Sequence, residues 1–73
     1  PRQPAALVNA GSLHAQRGHL PRAISYWRRA LAMNPGLTEA SRNLAVALQA
    51  TGRAEDARQV LQQAARFAPG VEK

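Results

Sequence analysis

Seventy-three residues make one small domain at most, with a modest core. The chain has no cysteine, which excludes disulfides and thiolate metal sites and leaves the redox compartment unreadable. Nine arginines and one lysine against four acids give a formal charge of +6. That balance keeps an anionic partner open without demanding one, since an arginine-and-alanine bias is also a general habit of GC-rich genomes.

No apolar run approaches the roughly 18 residues that a membrane span needs, and no signal-peptide pattern opens the chain. The chain begins on proline rather than methionine and is expected to be a piece of a longer protein. Cytoplasm and periplasm both stay open as its compartment.

The pattern predicts four helices. The first covers about 5–17 and stops at Gly18, a residue that tolerates a left-handed helix end. The second covers about 21–33, opening on Pro21, whose missing N–H is no loss in a first turn. It ends at Asn34-Pro35-Gly36, three turn formers in succession. The third covers about 38–51, with Thr38 as its expected N-cap and Gly52 behind it. The fourth covers about 54–67 and is closed by Pro69-Gly70. Both turns within a helix pair are short, so each pair must fold back antiparallel.

Apolar residues recur with a helical period throughout. Ala23, Ile24, Trp27, Ala30 and Leu31 form one stripe on the second helix. Leu44, Ala47, Leu48 and Thr51 do the same on the third, and Ala57, Val60, Leu61, Ala64 and Ala65 on the fourth. Small residues at Gly11, Ala23, Ala30, Ala45, Ala57 and Ala64 let helix backbones approach closely. No segment reads as strand, and the expected class is all-α.

The two halves repeat at a spacing of 34 residues. Asn9 recurs as Asn43, Gly18 as Gly52, Ala23 as Ala57 and Ala30 as Ala64, while Pro35 and Gly36 recur as Pro69 and Gly70. A period of this size means stacked units, neither of which buries its apolar face alone.

The pattern resembles a pair of tetratricopeptide repeats, with units at 4–37 and 38–71. Gly11 and Ala45 hold the family's small-residue place, Ala23 and Ala57 and then Ala30 and Ala64 its two alanine places, and Pro35 and Pro69 its closing proline. The aromatic place of the second helix has Trp27 and then Leu61. The sequence departs from the family where a tryptophan-like residue is usual, which is Leu7 and then Ser41, and where a tyrosine-like residue is usual, which is His14 and then Leu48. The resemblance implies two antiparallel helical hairpins stacked as a short right-handed α-solenoid fragment.

It also implies a function: a protein-interaction module whose first helices line a concave groove for a peptide or protein segment. The groove contacts expected from the first unit are Val8, Asn9, Ser12 and Gln16, and from the second Arg42, Asn43, Val46 and Gln49. Asparagine and glutamine amides suit a peptide backbone, Val8 and Val46 a side chain, and Arg42 a carboxylate. For Asn9 and Asn43, peptide contact and local helix-to-helix bonding stand level. A carboxylate clamp of the kind some relatives use is disfavoured, since Val8 and Ser12 stand where two of its residues would be.

Other chemistries find little support. His14 and His19 lie five apart across the Gly18 turn, without an acid at ligand spacing, so no metal site is expected and His14 is given a satisfied packing role. Neither a catalytic set nor a cofactor motif can be assembled, and no enzyme activity is expected. Glu55 and Asp56 suit the positive end of the fourth helix. Arg22, Arg28, Arg29, Arg53, Arg58 and Arg66 fall mainly on the outer helices and turns. Binding of an anionic surface or nucleic acid through these arginines is the weaker alternative, and nucleic acid is disfavoured because the aromatics that would stack on bases are needed in the core. The alternative to a groove is self-association through the final helix, by Val60, Ala64 and Phe67.

Overall fold

The computed structural model describes residues 3–67. Four α-helices occupy them: α1 (Pro4–Gln16), α2 (Leu20–Met33), α3 (Thr38–Ala50) and α4 (Ala54–Phe67). The helices start and stop within a residue of the expected places, and the described residues contain no strand. The expected closure at Pro69-Gly70 lies outside the described residues.

Local chemistry explains each boundary. Gly18 and Gly52 take φ values of 82° and 79°, the left-handed region that a side chain would strain. At both, the turn closes the same way: the amide of Gly18 donates to the carbonyl of Ala15 and that of His19 to His14, at 3.0 and 2.8 Å. One period on, Gly52 donates to Gln49 and Arg53 to Leu48, at 3.1 and 2.7 Å. These paired bonds satisfy carbonyls that the helix end would leave orphaned. Between the hairpins the chain leaves α2 at Asn34, whose Oδ1 accepts the amide of Gly36 at 3.1 Å. Pro35 cannot continue the helix because it lacks an N–H and crowds the preceding turn.

Two starts differ from expectation. Leu37, not Thr38, occupies the N-cap place of α3, and no side chain caps it. Pro21 is the second residue of α2 rather than the first.

The helices pack in chain order, α1 on α2, α2 on α3 and α3 on α4, with α1 and α3 in lighter contact. The core draws on Leu7 and Val8 of α1, Ala23, Ile24, Trp27 and Ala30 of α2, Leu44, Ala45 and Leu48 of α3, and Ala57 of α4. Trp27 is its largest member; its Nε1 donates to the carbonyl of Val8 at 3.2 Å, tying α2 to α1. A polar indole nitrogen can sit inside only because that acceptor meets it.

The fold measures 39 × 31 × 15 Å, a thin slab in which, among the described residues, α4 packs on no helix but α3. This corrects the stripe expected for α4. Of its five residues only Ala57 is buried; Leu61 is 46% exposed and Ala65 also faces outward, because α4 packs on α3 alone. Thr51 likewise lies outside the core, and its hydroxyl bonds back to the carbonyls of Ala47 and Leu48.

Candidate functional site

The stacking brings α1 and α3 into light contact, so the residues of interest lie on neighbouring helices. On α1, Asn9 and Gln16 are exposed and Ser12 is half-buried. On α3, Arg42 and Gln49 are exposed, Asn43 is half-buried, and Val46 is 61% exposed. Among the described residues neither Asn9 nor Asn43 makes a side-chain hydrogen bond to another residue. Among the described residues Arg42 has no carboxylate within ion-pair distance, whereas Arg53 pairs with Asp56 at 3.2 Å.

Val8 departs from the expected set. It is only 3% exposed, and its carbonyl holds the Trp27 indole, so its side chain belongs to the core and is withdrawn from any ligand. Arg42, one period later, stands at the same place and is exposed. The difference follows from neighbours: α1 has α3 alongside, whereas α3 has no following counterpart among the described residues.

Ser41 is the residue that sequence reasoning noted and did not use. It is 2% exposed, and its Oγ donates to the carbonyl of Leu37 at 3.2 Å. Leu7 holds the equivalent place one period earlier. The smaller side chain leaves space: Ser41 and Leu44 floor a cleft of about 580 Å³ between α2 and α4. Leu31, Ala32 and Pro35 form one wall, and Val60, Ala64 and Phe67 the other, with Arg28, Gln63 and Arg66 completing the lining. All three residues expected to support self-association thus line one cleft. Phe67 is 54% exposed, while Val60 and Ala64 are half-buried.

A second hollow, of about 320 Å³, lies beside the N-terminal half of α2 and is lined by His14, Arg22, Ser25, Tyr26 and Arg29. His14 does pack, its ring stacked on Tyr26 with centroids 5.2 Å apart and planes 12° from parallel. Its polar satisfaction is not what was expected, because Nδ1 is buried without a hydrogen-bond partner. The His14 and His19 rings lie 6.0 Å apart and tilted by 40°. Among the described residues no three His, Asp or Glu side chains gather as metal ligands. No described helix is long and apolar enough to cross a membrane.

Comparison with known proteins agrees with this architecture. A family model described as tetratricopeptide repeat matches residues 1–72, spanning both helical hairpins. No curated protein and no solved structure matches the chain.

Proposed function

The chain belongs to the tetratricopeptide repeat family, whose members are protein–protein interaction modules and typically non-catalytic scaffolds, and on that footing we propose that it binds an extended peptide or protein segment across α1 and α3. The units run 4–37 and 38–71. The contact set is Asn9, Ser12 and Gln16 with Arg42, Asn43, Val46 and Gln49. Val46 carries this reading: a large apolar side chain 61% exposed in the midst of amides and a cation. An apolar centre with a polar surround is the arrangement that gives an interface both affinity and register. Among the described residues the side-chain amides of Asn9 and Asn43 have no hydrogen-bond partner, which favours their use on a peptide backbone over helix-to-helix bonding.

The helical backbone that carries these side chains is already ordered, so the backbone ordering cost falls mainly on the peptide. Two units offer a small surface, and affinity of about micromolar or weaker follows. The test is a peptide-display selection on the chain, counter-screened against an Arg42→Glu, Asn43→Ala variant. Enriched peptides that lose binding to the variant support the α1–α3 face; peptides indifferent to it overturn the reading.

A second reading is favoured by the cleft between α2 and α4. Val60, Ala64 and Phe67 line it together, and a second copy seated there would bury the open flank of α4. Sedimentation over a range of concentrations tests it, with Val60→Ser and Phe67→Ser expected to abolish any dimer and leave peptide binding intact. A monomer at all concentrations removes this reading.

A further inference from the structure

The first hairpin carries an electrostatic imbalance that the α1–α3 face does not use. No Asp or Glu occurs before Glu39, so every formal charge among the first 38 side chains is an arginine. In the second hairpin an arginine does find a carboxylate, Arg53 with Asp56. Arg22 and Arg29 of α2 have no such partner among the described residues. The first turn of α2 also contains no acid and has no side-chain cap, so its positive end is uncompensated.

These cations are not scattered. Arg22, Ser25 and Arg29 follow one another at i, i+3 and i+7, with Tyr26 at i+4, and so share one face of α2. That face flanks the buried stripe of Ala23, Trp27 and Ala30, with Tyr26 at its border packed against the core, and all four residues line the same hollow. The Arg29 guanidinium stands over the Tyr26 ring, 5.7 Å from its centroid, and Tyr26 is in turn stacked on His14 of α1. The stack restrains the long Arg29 side chain before any ligand arrives, removing part of the entropy that ordering it would cost. No carboxylate among the described residues takes up the Arg29 N–H fork, which suits oxygen acceptors.

We propose that this hollow is a binding site for a phosphomonoester, held between the forks of Arg22 and Arg29 with the Ser25 hydroxyl donating to a third oxygen. Two cations about two helical turns apart suit a dianion with several oxygens better than a single carboxylate, which one fork satisfies. The volume of about 320 Å³ leaves room for part of the group that carries the phosphate. His14 and Tyr26 are positioning residues that aim Arg29.

The test is an NMR titration of the 73-residue chain with inorganic phosphate at fixed ionic strength, following backbone amides and arginine side-chain Nε–H signals. Saturable shifts confined to Arg22, Ser25, Tyr26 and Arg29 are expected. Arg22→Gln and Arg29→Gln should each weaken binding about tenfold, while Arg58→Gln on α4 leaves it unchanged. Tyr26→Leu should weaken it and Tyr26→Phe preserve it, a split that separates aiming of Arg29 from loss of a hydroxyl. A phosphoserine peptide at least about tenfold tighter than inorganic phosphate identifies a modified partner protein as the source; equal affinity identifies a free phosphorylated small molecule. Shifts that rise linearly, that sodium chloride or acetate reproduces at the same ionic strength, or that Arg58→Gln removes equally, would falsify the assignment.

Discussion

A Cβ added to Gly11 would stand 2.5 Å from Nε1 of Trp27 and 2.8 Å from its Cδ1. The missing side chain on α1 is therefore the space into which the indole of α2 fits, and the bond from Nε1 to the Val8 carbonyl fixes it there. One period later the same two places hold Ala45 and Leu61, and there Leu61 is 46% exposed instead of enclosed. The glycine–tryptophan pair is thus a feature of the first hairpin alone among the described residues.

Gly11→Ala should accordingly destabilise the fold by about 1–3 kcal/mol, since the indole is hemmed in and must shift. Combining it with Trp27→Leu, which removes the indole that the added methyl would strike, should cost less than the sum of the two single changes. Urea unfolding of the two single variants and the double variant measures this coupling. Strict additivity would show that the two residues are not packed as described.

Gly18→Ala and Gly52→Ala should each cost about 1–2 kcal/mol. Neither added methyl meets any atom within 4 Å, so the whole penalty comes from positive φ. Gly36→Ala is the internal comparison: its Cβ would make ordinary contacts at 3.5 Å with Asn34 Oδ1 and the Phe67 carbonyl, and its φ is not positive. Denaturation midpoints should fall clearly for the first two and little for the third.

Ser41→Leu should stabilise the chain by about 1 kcal/mol, the outcome of filling apolar space with several methyl and methylene groups. The lost hydroxyl bond leaves no orphan, because the Leu37 carbonyl it served also accepts the Ser41 amide at 3.1 Å. The same substitution narrows the cleft beside Val60, Ala64 and Phe67, and should weaken any self-association through it. A rise in melting temperature checks the first effect, and sedimentation the second.

Val46→Ser and Leu48→Ala should separate binding from stability on a single helix. Val46 is 61% exposed, so its replacement should change stability by no more than about 0.5 kcal/mol while lowering affinity for selected peptides. Leu48 is fully buried, and its truncation should cost about 2–5 kcal/mol. In a two-unit stack that loss is large enough to unfold the chain, which circular dichroism would register directly.

Helices, turns and their order could be read before any coordinates, because each rests on short-range rules. Gly18 and Gly52 end helices by their freedom at positive φ, Pro35 blocks continuation by its ring, and the 3.6-residue stripe of Ala23, Trp27 and Ala30 marks a buried face. The 34-residue period adds that two such units stack. None of this needs knowledge of which helix lies next to which.

Burial of a particular side chain does need it. Val8 and Arg42 occupy the same place in their units, yet one is enclosed and the other faces outward, because among the described residues α1 has a neighbour where α3 has none. Leu61 follows the same stripe as Trp27 and is nevertheless half exposed, since α4 packs on one helix only. The stack of His14, Tyr26 and Arg29 joins residues from two helices, and the cleft floored by Ser41 opens between two helices that do not pack on each other. Periodicity along a chain says which face of a helix is apolar; the number of helices available to cover that face is set by the assembled fold, and with it the accessible surface on which function depends.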